Sequence, residues 1–258
     1  MRLSDTPRQR ALLRLADSAL ILAQRNSEWC GHGPVLEEDL ALANLSLDLL
    51  GQARALLTLA GASDGLDEDQ LAMLRLEQQY LNPVLFELPH AADGRRPGDF
   101  AFTTLRNLVA SAWFLLQWQQ LQHSSDAAVA AIAAKAVKEA RYHLQHATDW
   151  TLRLGDGTSD SHARMQAALE RLWPYVGELF EADAVDEADV ASGLAPNWAG
   201  LREPWREQVL AVLAHATLRA PQDRPNAHAG RHGRHSEHLG HLLADLQYLQ
   251  RAYPGGRW

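Results

Sequence analysis

Residues 127–154 read AAVAAIAAKAVKEARYHLQHATDWTLRL. Ser124-Ser125-Asp126 ahead of them supply an N-cap, and residues 155–161 behind them supply a stop, so the run predicts one long helix. Its residue choice is that of the whole chain. Leu and Ala dominate, and both are strong helix formers. The β-branched residues that strands select are scarce, isoleucine being confined to Ile21 and Ile132. The fold class predicted is all-α.

Working outward from this helix, the rest of the chain punctuates in the same way. Thr6-Pro7 reads as an N-cap with proline at the first helical position, opening a helix over 7–27. Gly31-His32-Gly33-Pro34 breaks it. A second helix covers 36–60, with Leu40, Ala43, Leu47, Leu50, Ala53, Leu57 and Ala60 marking one face. Gly51 sits in its middle at a cost of about 1 kcal/mol against Ala, which predicts a close approach by another helix. Further helices are predicted over 68–87 (disturbed by Pro83), 100–122, 162–181 (with Pro174 inside), 204–218 and 236–251. Residues 91–99, 182–200 and 219–234 read as loops. The first, second, fourth and fifth helices are long and fall into two hairpin pairs. No linker of disordered composition separates them, so the prediction is one domain over 1–258, a four-helix bundle with accessory helices.

Composition excludes several function classes. With 24 basic and 32 acidic residues among 258, the net charge is −8, against the basic surface that non-specific nucleic-acid binding needs. A single cysteine, Cys30, rules out an internal disulfide and fits a reducing compartment. The longest near-apolar run, 108–116 with Ser111 inside it, is too short for a bilayer, and the N-terminus has no signal-peptide core. A cytoplasmic protein, with neither nucleic acid nor membrane as partner, is expected.

A long-helix bundle can hold two irons if each of two helices gives a Glu and each of the other two gives Glu-x-x-His, whose spacing puts both donors on one face. The chain offers that spacing once, at Glu87-Leu88-Pro89-His90, across a proline at a helix end. Glu139 and His143 share a face, but Ala140 stands three before His143. The first helix has only Asp17 as an interior carboxylate, the second has Asp39 and Asp48 without histidine, and 100–122 has no acid at all. This inventory argues against a metal, a cofactor or a catalytic residue in the chain.

Lys135 and Lys138 are its only lysines, both beside Glu139. One reading is a solvated i, i+4 pair between Lys135 and Glu139. The sharper one turns a lysine inward against Asp48 or Glu139, an ammonium standing where a metal would be. The degenerate-site candidates are therefore Asp48, Lys135, Lys138, Glu139 and His143. His228, His232, His235, His238 and His241 form a histidine-rich tract, partly in a Gly- and Arg-bearing loop, which could bind Zn or Ni. Structural or partner-contact roles are expected instead for His235 and Glu237. Cys30 reads as a buried structural residue.

Several segments together resemble the C-subunit family of bacterial 1,2-phenylacetyl-CoA epoxidase: Ala23-Gln24-Arg25 with Glu28-Trp29-Cys30-Gly31-His32, Asp39-Leu40-Ala41-Leu42-Ala43-Asn44 and Leu47-Asp48-Leu49-Leu50-Gly51-Gln52-Ala53-Arg54. So do Lys135-Ala136-Val137-Lys138-Glu139-Ala140-Arg141-Tyr142-His143, His235-Ser236-Glu237-His238-Leu239-Gly240 and Gln247-Tyr248-Leu249-Gln250-Arg251. They run from the first helix to the last. His228, His232 and His241 fall outside the pattern. The resemblance implies a ferritin-like subunit with a degenerate metal site, without cofactor, supporting a paralogous A subunit that holds di-iron and the CoA thioester. It implies a heterodimer with that subunit, a bridging B subunit and a reductase component. The complex would epoxidise the ring of phenylacetyl-CoA in aerobic phenylacetate breakdown. Ala140 falls where the A subunit has a ligand Glu, and Ala19 near the first-helix ligand. The alternatives are a di-iron oxygenase subunit with its own metal site and a His-rich metal-binding helical protein.

Overall fold

The computed structural model describes residues 3–90, 98–195 and 197–256. Ten α-helices occur among them: α1 Pro7–Ser27, α2 Leu36–Gly61, α3 Glu68–Met73, α4 Val84–Glu87, α5 Phe100–Leu121, α6 Ala127–Gly155, α7 Ser159–Leu172, α8 Ala184–Ser192, α9 Arg202–His215 and α10 Glu237–Ala252. The described residues contain no strand; Ala229 and Arg234 form one isolated bridge. The chain is all-α, as its composition dictates.

Packing divides it into two compact units. The first comprises Met1–Pro89 together with His228–Trp258. Its frame is the α1–α2 hairpin, with α3 packed on α2, α4 on α1, and α10 against α3 and α4. The second is His90–Ala227, framed by the α5–α6 hairpin with α7 and α9 against both long helices. The two hairpin pairs read from the sequence are thus present.

The caps do what the sequence asks of them. The Thr6 side chain accepts from Gln9 N at 3.2 Å, with Pro7 in the first turn. Asp126 accepts from Ala128 N and Val129 N to start α6, at 3.0 and 3.3 Å. From Ala11 to Ala23 every side chain of α1 is buried, and from Ala101 to Leu115 every one of α5. These are helices buried on all sides, so the polar residues among them, Asp17 and Arg106 included, must find partners inside the protein.

Three boundaries differ from the sequence reading. The helix predicted over 68–87 is α3, a 3-10 turn at Glu77–Gln79 and the short α4. Pro83 cannot continue a helix, and the chain between the pieces wraps around the buried Arg75 side chain. The helix predicted over 162–181 gives way to a 3-10 segment, Trp173–Phe180, where Pro174 removes a donor. The predicted loop over 182–200 contains α8, started by an Asp183/Asp186 capping box and ended by Gly193 at φ 74°. Of the loop read over 91–99, residues 91–97 lie outside the described residues.

The buried face of α2 also differs. Leu42, Leu45, Leu49, Ala53, Leu56, Leu57 and Ala60 point into the core. Leu40 and Leu47, read as part of the core face, are 58% and 64% exposed, and Leu36 is 69% exposed. The helix is leucine-rich on two sides, and the described residues cover only one of them.

Candidate functional site

Two buried ionic clusters organise the first unit. Asp17, in the middle of α1, and Arg75, after α3, are both fully buried and joined by two hydrogen bonds. Asp17 also accepts from Leu81 N at 2.9 Å. The guanidinium donates to Leu71 O at 2.6 Å and Gln79 O at 2.9 Å, and lies 4.2 Å from the Tyr80 ring centroid. Burial works to lower the Arg75 pKa, but the charge and hydrogen bonds of Asp17 outweigh it and raise it. Burial pushes the Tyr80 hydroxyl up to about 12. Helix α10 closes the cluster: Gln247 Nε2 donates to Ala72 O, Arg75 O and Tyr80 Oη at 3.2, 3.1 and 2.9 Å.

The second cluster surrounds Glu87, at the end of α4. Its Oε2 meets His235 Nδ1 at 2.8 Å and accepts from Asn82 Nδ2 at 3.1 Å, while Oε1 accepts from Ser236 N at 2.6 Å. His235 Nε2 lies 2.8 Å from Tyr80 O. Burial opposes the imidazolium, but the hydrogen bond and charge of Glu87 and the Tyr80 carbonyl raise the His235 pKa. Arg25 donates to Glu87 O from Nε and an Nη at 2.9 and 2.6 Å and pairs with Glu28 at 2.6 Å.

The glycines of the histidine-rich tract explain how His235 gets there. A Cβ on Gly230 would lie 2.3 Å from Asn82 O, and one on Gly233, at φ +75°, 2.4 Å from Gln78 O. Only glycine lets this loop press so closely onto the segment around residues 78–84. The tract is a structural clasp. Of the histidines read as possible metal donors, His235 is committed to Glu87, while His232 and His241 are exposed.

Glu87 and His90 are both buried, with different partners. His90 Nδ1 lies 2.6 Å from Thr103 Oγ1 and 3.1 Å from an Arg106 Nη. The Glu-x-x-His spacing at 87–90 therefore marks a node of each unit and not a ligand pair.

On α6, the positions compared with an iron site are filled as follows. Ala140 and His143 are buried, as is Ala19 on α1. Lys135 is 78% exposed and pairs with Glu139 at 3.3 Å, and Lys138 is exposed. This corrects the inward counter-charge reading of Lys135 and Lys138: a lysine on the outer face of α6 keeps its ammonium hydrated, which costs far less than burial. Asp48 is half-buried on α2. Among the described residues, no three His, Cys, Asp or Glu side chains come together as a metal-binding group, so the donor set does not fit a pair of irons. Cys30, expected to be buried, is exposed; the His32 ring bonds its carbonyl oxygen at 3.1 Å. No described helix is long and apolar enough to cross a membrane.

The buried cations and carboxylates were partly visible beforehand. Asp17 stood out as the interior acid of the first helix, but its partner Arg75 is 58 residues away. The pairing of Glu87 with His235, 148 residues on, had no local signal beyond the glycines flanking that histidine.

The outer stripe of α2 is the remaining surface of note. Leu36, Leu40 and Leu47 share a face with Gly51, where an added Cβ would meet nothing within 4 Å.

Comparison with known proteins gives matches along nearly the whole chain. The model of a family described as "Phenylacetic acid catabolic protein" matches residues 2–258. The C subunit of the 1,2-phenylacetyl-CoA epoxidase of Escherichia coli (strain K12) is 47% identical over 248 residues, covering 95% of this chain and 97% of that protein.

Proposed function

As the chain belongs to the phenylacetic acid catabolic protein family, we propose that it is the C-type subunit of a multicomponent 1,2-phenylacetyl-CoA epoxidase. In this reading it is a non-catalytic partner that pairs with, and supports, a di-iron catalytic A subunit. A bridging B subunit and a reductase component complete the complex, which acts in the cytoplasm on the ring of phenylacetyl-CoA. The fold in this reading is ferritin-like, a four-helix bundle with accessory helices.

The observation that carries this reading is the 47% identity to an epoxidase C subunit over nearly the full length of both chains. Three features of the chain support it. The interior carries Ala19 and Ala140 where an iron bundle of this kind would place ligands. The buried acids Asp17 and Glu87 are paired with Arg75 and His235 of the chain itself. The exposed leucine stripe of α2 is the kind of surface a permanent partner covers. A catalytically inert chain that rigidifies an iron-bearing neighbour needs a packing surface and no donors.

The test is co-expression of this chain with and without an A-type paralogue, followed by elemental analysis and a phenylacetyl-CoA epoxidation assay. The expected outcome is a stable complex whose iron and activity depend on the paralogue's ligands. Two irons per chain in the protein purified alone would establish a di-iron subunit instead. Stoichiometric Zn or Ni lost on removal of residues 228–241 would establish a His-rich metal binder.

A further inference from the structure

The outer stripe of α2 is complementary to itself. At 3.6 residues per turn, Leu36, Leu40, Ala43, Leu47, Gly51 and Arg54 fall within about 100° of the helix circumference and along about 27 Å of its length. Leu36, Leu40 and Leu47 are each more than half exposed. The stripe thus stands proud at its start and middle and is hollow at Gly51, where an added Cβ would meet nothing within 4 Å. Its two ends also differ in charge. Glu37 is exposed in the first turn. Arg54, past the glycine, is 76% exposed although joined to Glu68 at 2.9 Å.

Two such helices laid antiparallel about a two-fold axis between Leu45 and Ser46 match bump to hollow and charge to charge. Leu40 of each copy then lies over Gly51 of the other, Leu47 falls opposite Asn44 and next to Ala43, and Glu37 comes level with Arg54. The two-fold makes each of these contacts twice. A parallel pair in register would set leucine against leucine, glycine against glycine and like charge against like. We propose that α2 is a homodimerisation helix: in the chain without other subunits, a second copy covers the stripe with its own α2, antiparallel, Leu40 seated on Gly51. The footprint sets the strength. A helix about 27 Å long and about 10 Å across presents about 300 Å² per copy, well below the roughly 800 Å² per partner of a standard stable interface. The dimer is therefore reversible, with a Kd in the micromolar range, and an A-type paralogue that takes the same face displaces it. That displacement rests on the subunit role proposed above; the homodimer does not.

The experiment is sedimentation equilibrium of the full chain, purified without other subunits, from about 1 to about 200 μM. A monomer–dimer equilibrium with a Kd between about 1 and 100 μM is expected. Gly51→Leu fills the hollow at an exposed position, and is expected to weaken the dimer about tenfold or more without lowering the melting temperature. Glu37→Arg and Arg54→Glu are each expected to weaken it about threefold or more, and the two combined in one chain to restore it to within about twofold. Only antiparallel pairing of the helix with itself produces that rescue. A monomer at every concentration, a dimer indifferent to Gly51→Leu, or a double variant without rescue would each overturn the proposal. A monomer that binds an A-type paralogue would overturn it too, leaving the stripe as that subunit's surface alone. A homodimer with these responses that binds no such paralogue would uphold it and overturn the subunit reading instead.

Discussion

Asp17 and Arg75 carry opposite charges in a place water does not reach, and each is tolerable only because of the other. Removing one partner strands the other. Asp17→Ala should cost about 3–5 kcal/mol in denaturant unfolding, whereas Asp17→Leu combined with Arg75→Met should recover much of that loss. His235 makes a different demand, because its charge depends on pH. Its pKa is raised above the free value of about 6.5, so its pairing with Glu87 contributes fully below that value and fades as pH rises through the raised one. Asp17 adds to the attraction for the imidazolium, and His228 also faces Glu87. The stability advantage of the natural chain over His235→Gln, measured by thermal melts, should be largest below about pH 6 and shrink towards alkaline pH. Lys138 behaves in the opposite way to these residues. It is exposed, so Lys138→Met should change stability by less than about 0.5 kcal/mol. The sequence made lysine conspicuous by rarity, but rarity says nothing about direction. The residues that do balance interior charge are an arginine and a histidine, and their acids sit 58 and 148 positions away. Such pairings are set by tertiary packing and leave no local trace.

Among the elements, those with a clean period and clear caps were legible: α1, α2, α5 and α6 have the bounds their patterns imply to within a residue or two. What failed was the stretch around Pro83 and Pro174, where proline turns a helical pattern into short pieces, and α8, hidden in an acidic segment whose Asp183 is a cap. Helix α2 shows a further ambiguity. With leucines on two sides, periodicity alone could not say which side faces inward. Gly51 belongs to the outer side, and among the described residues nothing lies within 4 Å of a Cβ added there, so the close approach its position suggested is not made by them. Gly51→Ala should therefore stabilise the isolated chain by about 1 kcal/mol through helix propensity alone. If the outer stripe meets a partner helix as proposed, Gly51→Leu should leave the isolated chain folded while weakening its retention by that partner in co-purification.

At the scale of the whole molecule, composition had settled the all-α class, and the motifs spread from α1 to α10 had pointed to the family. Their residues turn out to be structural nodes: Arg25, His235, Gln247 and Arg251 all bind backbone carbonyls or buried acids. The division into two units was not legible, because no composition shift marks residue 90 or residue 228.

The first unit is discontinuous in the chain, and this orders events during its biosynthesis. Its opening 89 residues leave the ribosome long before the stretch from His228 onwards that finishes it. Until then Glu87 lacks the imidazole that neutralises it, and Tyr80 lacks the amide that Gln247 later offers. The nascent N-terminal segment is thus held in an incomplete state while the intervening unit is made. A premature stop anywhere before codon 235 would leave a chain with its interior acid uncompensated, a natural target for proteolytic clearance.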